Sequence, residues 1–403
     1  MKAGWQKKTL EEVCEFQRGL TYGKSDEVDV SNNIVLRAMN IDVSTNLLNF
    51  AELKYISDKV VVPDAKKVKK GSLIICTASG SKSHLGKVAY IDDDYGYAFG
   101  GFMGMLTPKK ELQSKYLFHL MTSAAYTDFI AALSDGVNIN NLKFDDLRRF
   151  EVPLPPLPEQ QRIVSILDEA FAGIATATAN AEKNLANARE LFESYLHSVF
   201  SNKGENWIES TVGEAIRFID YRGKTPQKTN HGLRLITAKN VKMGFLQHEP
   251  MEFVSPNTYE SWMTRGIPQR GDILFTTEAP LANVAQLDTE DRVVFAQRII
   301  IMQADKTKLD NTFLKYLLLS QPVQQRIHNK GTGATVKGIK ASLLKTIEIS
   351  YPKSIAEQLN IVAKLDELAL ETKRLEAIYQ QKLNALEELK KSILNQAFSG
   401  QLQ

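Results

Sequence analysis

The sequence predicts an α+β protein built as a duplicate: two compact α/β domains separated by two long helices that form an antiparallel coiled coil, with a pseudo-twofold repeat. The main observation is that EQQRIVSILDE at 159–169 returns as EQLNIVAKLDE at 357–367. The offset, 357 minus 159 or 198 residues, continues without a gap to the ends of both helical stretches. A second observation is that each copy opens a long apolar seam with steps of three and four residues.

A repeat decides the architecture, so it has to be located before single elements are assigned. The regions upstream of the two helices resemble each other more faintly: Trp5 matches Trp207, and Asn40 matches Asn240. The predicted segments are a first domain, a first long helix, a second domain and a second long helix, at 1–152, 153–203, 204–352 and 353–403.

Each upstream region predicts a compact α+β domain. Short β-rich runs such as NIVLRAMNI, GSLIICTAS and KVAYID are separated by Gly, Asn, Asp and Ser, and a helical stretch follows near SKYLFHLMTSAAYTDFIAAL. The second region repeats this order with LRLITAKNV, DILFTTEA and VVFAQRIIIMQA, followed by NTFLKYLLLSQPVQQRIHN.

Composition sets the outer limits. A chain of 403 residues with 43% hydrophobic content can bury two ordinary cores. Its 50 Lys and Arg residues against 47 Asp and Glu residues give a net charge of +3, which by itself does not identify a nucleic-acid binder. Cys14 and Cys76 form no metal-ligand cluster or disulfide framework, and no apolar run reaches the roughly 20 residues of a membrane span. We therefore expect a cytoplasmic protein.

The first long helix follows the proline-rich segment VPLPPLPEQQ, whose prolines exclude helix upstream. Pro158 suits a first helical position, and a helix from there to Ser201 would be a rod of roughly 65 Å. Small residues in the middle of the first seam face larger ones in the second, which favours pairing of the two helices. The alternative is that each helix packs separately onto its own domain. The predicted coiled-coil residues are Ile163, Leu167, Ala177, Ala181 and Leu191 in the first helix, with Ile361, Leu365, Leu375, Tyr379 and Leu389 in the second.

The order of these segments resembles the specificity (S) subunit of type I restriction-modification enzymes. The resemblance covers essentially the whole chain. Its specific part is the duplicated E-Q-x-x-I-V-x-x-L-D-E, led by PLPPLP in the first copy and closed by FSG in the second. The two domains match only in layout. The second lead, ISYPKSIAEQ, has fewer prolines, which leaves the start of the second helix open.

The resemblance implies a non-catalytic protein with two target-recognition domains, each reading one half of a split, asymmetric site on double-stranded DNA. The antiparallel helices would act as the spacer. It also implies partners: two modification (methyltransferase) subunits that bring S-adenosylmethionine and methylate adenine N6, and restriction (translocase and nuclease) subunits that use ATP and Mg²⁺. No cofactor or metal is expected on this chain, and no membrane.

Motifs that could carry catalysis are incomplete. LPPL at 154–157 shares the prolines of an N6-adenine methyltransferase loop but lacks the polar and aromatic residues that would hold a flipped base. GSKSHLGKV at 80–88 departs from the phosphate-loop spacing, and Val88 stands where that loop has Ser or Thr. The six histidines show no metal-ligand spacing.

DNA reading must then rest on basic, amide and aromatic side chains in loops, because phosphate contacts position a protein while base-edge contacts specify the sequence. Arg18 and Lys24, with Arg222 and Lys224, are favoured because a basic pair recurs at about the same place in each half. For any single residue the alternative is a solvated surface charge. The candidate DNA contacts are Arg18, Tyr22, Lys24, Lys82, Ser83, His84 and Lys87 in the first domain, and Tyr221, Arg222, Lys224, Lys330, Thr332 and Lys337 in the second.

Two other classes of function remain open at the level of sequence. A coiled-coil scaffold with two protein-binding domains would share the layout, but it would lack the steep salt dependence of a DNA binder. A stand-alone methyltransferase would need an acidic-Gly-x-Gly cofactor loop after a strand, which the sequence lacks.

Overall fold

The computed structural model describes residues 4–80, 84–134, 141–221, 225–296, 298–333 and 335–402. The chain forms two compact units. Unit 1 comprises Met1–Glu182 with Gln381–Gln403, and unit 2 comprises Lys183–Gln380. Each unit therefore contains one α/β domain and a part of both long helices.

The first domain is built on three small sheets. The strands are β1 (Gln6–Thr9), β2 (Cys14–Arg18), β3 (Glu27–Val28), β4 (Asn33–Leu36), β5 (Lys54–Ile56), β6 (Leu73–Cys76), β7 (Val88–Tyr90), β8 (Ala98–Phe99), β9 (Met103–Pro108) and β10 (Glu151–Leu154). One sheet has the order β2-β9-β6-β7 and is antiparallel; another has the order β3-β5-β4-β8, in which β4 and β8 run parallel; the third pairs β1 with β10. The helices are α1 (Leu10–Val13), α2 (Ser114–Leu120), α3 (Ala124–Ser134) and α4 (Phe144–Leu147), with 3₁₀ turns at Lys24–Asp26, Ala38–Asn40 and Asp64–Lys66.

The second domain repeats this topology. Its strands are β11 (Trp207–Thr211), β12 (Ile216–Asp220), β13 (Lys228–Thr229), β14 (Leu233–Ile236), β15 (Glu252–Val254), β16 (Ile273–Thr277), β17 (Leu281–Gln286), β18 (Val293–Phe295), β19 (Ile299–Ala304) and β20 (Glu348–Pro352). Adding ten to every strand number of the first domain gives the sheets of the second: β12-β19-β16-β17, β13-β15-β14-β18 and β11-β20, with β14 and β18 parallel. The helices are α6 (Val212–Ala215), α7 (Thr258–Trp262), α8 (Asn311–Leu319), α9 (Gln321–Lys330) and α10 (Ala341–Lys345).

The weak sequence match between the domains therefore conceals an identical strand order. Asn40 shows why the matched residue is kept: it is buried, its side-chain oxygen accepts from the N–H of Arg37 at 2.8 Å, and its amide donates to the carbonyl of Glu52 at 2.8 Å. Asn240 makes the same kind of bonds, to the N–H of Thr237 at 3.0 Å and to a later carbonyl at 3.1 Å. Each buried amide thus satisfies a backbone N–H and a backbone carbonyl.

The two long helices have equal length. Helix α5 runs over Leu157–Ser201 and α11 over Ile355–Ser399, 45 residues each. Pro158 lies in the first turn of α5, where its missing N–H has no helical partner to lose. The proline-poor lead left the start of α11 open. The structure places this start at Ile355, the residue equivalent to Leu157 in the repeat. The predicted fold class is confirmed.

Within unit 1, α5 and α11 run antiparallel. Ile163 and Leu167 share the core with Leu394 and Ala397, while the ammonium of Lys390 lies 5.3 Å from the ring centroid of Phe171. Rising residue numbers in α5 thus meet falling numbers in α11. The seam follows the steps of three and four residues typical of coiled coils.

Unit 2 contains the other halves of the two helices, again antiparallel. Nε of Arg189 lies 2.7 Å from a carboxylate oxygen of Glu376, and Leu196 shares the core with Val362 and Leu365. The contacts in both units therefore contradict the alternative, in which each helix packs separately onto its own domain.

Two predicted seam residues are corrected by the structure. Leu191 is 55% exposed and Leu389 is 47% exposed. From Ala181 the seam steps by four to residue 185, by three to Ala188 and by four to Phe192, so Leu191 lies about 100° away from it on the helix surface. Of the other predicted seam residues, Ile163, Leu167, Ala181 and Leu365 are buried, and Ala177, Ile361, Leu375 and Tyr379 are half-buried.

The glutamine of each E-Q motif fastens its helix to the preceding domain. Gln160 has no exposed surface; its side-chain oxygen accepts from the N–H of Gln113 at 2.8 Å, and its amide donates to the carbonyls of Glu111 at 2.9 Å and Pro155 at 2.8 Å. Gln358 repeats these three bonds in unit 2, with Asp310, Lys308 and Pro352 as partners at 2.7 to 2.8 Å. The repeated motif therefore docks each long helix onto the domain that precedes it.

The aspartate of each L-D-E motif makes a second contact of the same kind. Oδ1 of Asp168 lies 3.0 Å from Nε2 of His119 on α2, and Oδ1 of Asp366 accepts from the hydroxyl of Tyr316 on α8 at 2.5 Å. The helix ends dock as well: the ring of Phe398 lies 5.2 Å from that of Tyr116 in unit 1, as centroids. In unit 2, Phe200 and Phe313 are 5.4 Å apart.

Within the described ranges, no helix is both long enough and apolar enough to cross a membrane.

Candidate nucleic-acid interface

One turn occupies the same place in both domains, between β8 and β9 and between β18 and β19. In the first domain the carbonyl of Phe102 accepts from the N–H of Thr77 at 2.9 Å. In the second, the carbonyl of Arg298 accepts from the N–H of Thr277 at 2.8 Å. Because the backbone contacts are equivalent, the side chains of Phe102 and Arg298 occupy corresponding positions.

These two side chains differ in chemistry and are both accessible. Phe102 is 73% exposed, although it is a large aromatic residue. Arg298 adopts a φ of +73°, a left-handed conformation that non-glycine residues rarely adopt, and its Nε lies 3.2 Å from a carboxylate oxygen of Glu278. The turn therefore presents an apolar ring in one domain and an oriented guanidinium in the other.

Gly19 holds the first predicted loop against this turn. A Cβ atom at Gly19 would lie 1.9 Å from the carbonyl oxygen of Gly100, so no side chain fits there. The loop that follows carries Tyr22 and Lys24, which line the same cleft as Phe102. The structure thus brings these two predicted residues together with one that the sequence did not single out.

The cleft beside the turn has a volume of about 670 Å³. Besides Tyr22 and Lys24 it is lined by Arg37, Met39 and Phe102. Nε of Arg37 is buried and forms no hydrogen bond with the residues that the structure describes. Basic groups beside exposed apolar and aromatic side chains suit contacts to phosphates and to bases, respectively.

Burial raises the pKa of the Tyr22 phenol, and the nearby Glu27 carboxylate adds to this shift. Glu27 forms an ion pair with Lys54. Tyr22 therefore stays protonated at neutral pH and can donate a hydrogen bond to a ligand in the cleft.

Arg18 is the last residue of β2 and is exposed. Its guanidinium carbon lies 5.5 Å from the ring centroid of Phe144, within the range of a cation–π contact. The ammonium of Lys66 donates to the carbonyl of Arg18 at 2.9 Å, so two cations lie together at this strand end.

The loop before β7 is only partly described. His84 is half-buried, and Lys87 is half-buried with its ammonium group out of contact with solvent. Burial lowers the pKa of Lys87, while Cys76 and Asp42 act in the opposite direction. Lys82 and Ser83 lie outside the described residues.

In the second domain, the prediction for Tyr221 is wrong. The side chain is only 4% exposed; its hydroxyl donates to the carbonyl of Gly266 at 2.7 Å and accepts from the N–H of Arg265 at 3.0 Å. Both hydrogen-bonding roles of the phenol are therefore used inside the domain, where the end of β12 directs the ring into the core. Arg222 and Lys224 lie outside the described residues.

Strand register also refines the comparison of the basic pairs. Arg18 pairs with the second residue of β9, and Asp220 pairs with the second residue of β19. Asp220 is therefore the structural equivalent of Arg18.

The remaining predicted residues lie near α9. Thr332 and Gly338 exchange backbone hydrogen bonds at 2.8 and 2.9 Å and close a hairpin, on which Thr332 and Lys337 are exposed. Gly338 also forms a bridge with Glu278, so this hairpin lies next to the ion pair of Arg298. Lys330 is exposed, but its ammonium donates to the carbonyl of Thr346 at 2.9 Å and to its hydroxyl at 2.7 Å.

Sequence reasoning did not find Phe102, Arg298 or Arg37. A signal was available: FGGFMGM and FAQRIII occupy the same turn between two strands, and aligning the domains strand by strand would have exposed the difference. The faint similarity between the domains made that alignment ambiguous at the level of sequence.

A family model described as the type I restriction modification DNA specificity domain matches residues 2–186 and 221–388. The chain belongs to this family. The resemblance stated from the repeated helix opening is thereby confirmed, and the two matched ranges correspond to the two halves of the duplication. The family supplies DNA specificity and has no enzymatic activity of its own.

Similar proteins agree with this membership. The specificity subunit of the type I restriction enzyme EcoKI from Escherichia coli K12 is 25% identical over 421 aligned residues, which cover 99% of this chain and 89% of that protein. The StySPI specificity subunit from Salmonella potsdam is also 25% identical, with the same two shares.

Solved structures share the fold. A chain from a study of complex assembly and conformational transition of the type I restriction-modification system has a TM-score of 0.81 at 19% identity, covering 100% of this chain and 99% of that chain. The HsdS subunit from Thermoanaerobacter tengcongensis has a TM-score of 0.64 at 18% identity, covering 100% and 98%.

Proposed function

We propose that this chain is the DNA sequence-specificity subunit of a type I restriction-modification enzyme, and that each domain reads one half of a bipartite, asymmetric site on double-stranded DNA. The observation that carries the proposal is the pair of equivalent turns with unlike side chains, Phe102 and Arg298. Two domains with one strand order and different exposed residues can recognise different base pairs in the same geometry.

The long helices set the spacing between the half-sites and dock two modification subunits. This role is supported by the antiparallel contacts of α5 and α11 in each unit and by their equal length. Restriction subunits complete the enzyme. S-adenosylmethionine, ATP and Mg²⁺ belong to these partner subunits, and this chain contributes only the recognition of the DNA sequence.

The complex acts on DNA in the cytoplasm. The two cysteines of the chain, Cys14 and Cys76, are both buried and unpaired, which suits a reducing compartment.

The test is a domain exchange. Residues 1–152 are replaced by the corresponding domain of a relative, the chain is expressed with its methyltransferase partner, and methylated motifs are mapped genome-wide. We expect one half-site to change while the other half-site and the gap are retained. A simultaneous change of both half-sites would contradict independent reading.

A salt titration separates this function from that of a coiled-coil scaffold. Neutralisation of several phosphates makes log affinity fall steeply and linearly with log salt concentration. The assembled complex should show that slope on a duplex carrying its mapped motif, whereas a protein-binding scaffold would not bind DNA.

A further inference from the structure

Backbone hydrogen bonds anchor Phe102, in the turn between β8 and β9, and Arg298, its counterpart just before β19. Thr77 directly follows β6 and Thr277 ends β16, and each donates its N–H to the carbonyl of the turn residue. The threonine carbonyls in turn accept from the N–H groups of Leu142 and Ile339. These bonds connect the turn to the antiparallel four-stranded sheet. Side chains on rigid elements can read a ligand with little ordering cost.

In unit 1 the turn has a composition that favours base contact. Phe102 projects from consecutive glycines, Gly100 and Gly101, beside the cleft that holds Lys24 and Arg37. Exposure of a whole phenyl ring next to two cations has no function in the packing of the domain, because few of its atoms are removed from water.

In unit 2 the equivalent position carries Arg298 in a left-handed conformation. Such a conformation persists only where the surrounding structure imposes it, and it is common at functional sites. The half-exposed carboxylate of Glu278, 3.2 Å away, restricts the orientation of the guanidinium while leaving part of it accessible. Arginine is the side chain that most often recognises guanine, through two hydrogen bonds to O6 and N7.

From these observations we infer that Phe102 and Arg298 are specificity-determining residues that read DNA by different chemistry. Phe102 makes an apolar contact with a base in its half-site, such as the methyl group of thymine, and Arg298 donates hydrogen bonds to a guanine in the other half-site. The inference rests on the proposed function and adds to it the residues and the type of readout.

The experiment uses the chain co-expressed with its methyltransferase partner. Variants Phe102→Ala and Arg298→Gly are compared with the unsubstituted protein by motif mapping and by binding to duplexes in which each base pair of the mapped site is varied in turn. Glycine is chosen at 298 because it adopts the positive φ without strain. Melting curves establish that each variant is folded.

We expect each variant to lose discrimination at one base pair, by roughly ten- to a hundredfold, in one half-site only. For Arg298→Gly that base pair should contain guanine. Glu278→Gln should weaken the same preference by a smaller factor, since the guanidinium is then less well oriented.

Matched controls come from the other end of the same sheets. Arg270 precedes β16 and pairs with Glu290 at 3.6 Å, so Arg270→Ala removes a paired surface arginine away from the turn. Leu47 is exposed in the loop whose Asn46 carbonyl accepts from the N–H of Tyr90, at the far end of β7, so Leu47→Ala removes an exposed apolar side chain there. Neither should change the motif.

Two failures are distinguishable. If the unsubstituted complex recognises no bipartite motif, the proposed function is wrong. If it recognises one and the folded variants at positions 102 and 298 keep full discrimination at every base pair, the inference is wrong while the function stands.

Discussion

The first and second domains share one strand order but differ in the residues that they expose. Their buried polar residues are the same: Asn40 corresponds to Asn240, and Gln160 corresponds to Gln358, with matching hydrogen bonds. Their exposed turns differ, with Phe102 in one and Arg298 in the other. A buried amide that bonds backbone groups has few substitutes, because an unsatisfied buried group costs about 1–3 kcal/mol. An exposed turn residue has no such constraint and is free to diverge.

The contact that docks each long helix is neither identical in the two units, like the buried amides, nor wholly different, like the exposed turns. Asp168 and Asp366 are equivalent, but the first meets the imidazole of His119 and the second meets the phenol of Tyr316. The same helix position thus accepts either ring. Only the imidazole changes its charge in the physiological pH range, so the two units should respond differently to acid.

The largest predicted effect comes from making the two long helices unequal. A two-residue insertion after Ala181 rotates the following part of α5 by about 200°, which moves its apolar seam away from α11. We expect loss of assembly or of sequence recognition, measured by motif mapping in cells that also express the partner subunits.

A four-residue insertion at the same place is the control. It turns the helix only about 40° past a full turn and adds roughly 6 Å along its axis. Since a base pair rises about 3.4 Å, the gap between the half-sites should lengthen by about one or two base pairs while both half-sites stay the same. An unchanged gap would show that the helices do not set the spacing.

The next effect concerns the glutamines that are identical in both units. Gln160→Ala removes the hydrogen-bond partner of one N–H and two carbonyls, so we expect a loss of about 2–4 kcal/mol in the free energy of unfolding of unit 1. Gln358→Ala should cost unit 2 a similar amount. Urea unfolding with hydrogen exchange mapped to each unit measures both.

The matched control is Gln161→Ala, because Gln161 is the exposed neighbour of Gln160 in the same helical turn. Its substitution should change the free energy of unfolding by less than about 0.5 kcal/mol. Equal stabilities of the variants at 160 and 161 would show that the buried amide does not dock the helix.

The smallest effect is a difference in acid response. Burial lowers the pKa of His119, outweighing its hydrogen bond to the Asp168 carboxylate, which raises it; Lys115 and Lys390 nearby also lower it. As the pH falls through about 6.5, the unfolded chain takes up a proton that the folded unit resists. The stability from a neutral His119 is therefore complete above that pH and declines below it.

His119→Tyr installs the residue that unit 2 has at this position. The urea midpoint of unit 1 should then fall less between pH 7 and pH 5 than it does in the unsubstituted protein. Asp168, whose pKa is lowered by Lys115 and His119 against the effect of burial, loses its contribution only at lower pH. His197→Tyr, at an exposed position in unit 2, is the control, and an equal acid response of both variants would argue against a role for His119.

Much of the architecture was predictable from local pattern. Repeated E-Q motifs, the proline lead and the three-and-four stepping of apolar residues predict two long paired helices, and α5 and α11 are present. These features are encoded within a few helical turns, where side-chain spacing decides which face is buried. The error at Leu191 and Leu389 arose because steps of three and of four are both compatible with a coiled coil.

The site was less predictable. Tyr22 and Lys24 do line a cleft, but Tyr221 is a core residue, and Phe102, Arg298 and Arg37 were not found. Basic and aromatic composition identifies a loop without showing the direction of its side chains. That direction depends on strand register, because a shift of one residue turns every side chain of a strand to the opposite face.

The duplication, the two long helices and the family could be read from the sequence, because each shows in runs of residues that are contiguous in the chain. Only the folded chain shows that the two weakly similar domains share one strand order and that Phe102 and Arg298 occupy equivalent positions. Strand pairing joins residues far apart in sequence, so the exposure of a turn residue is set by neighbours that no local pattern contains.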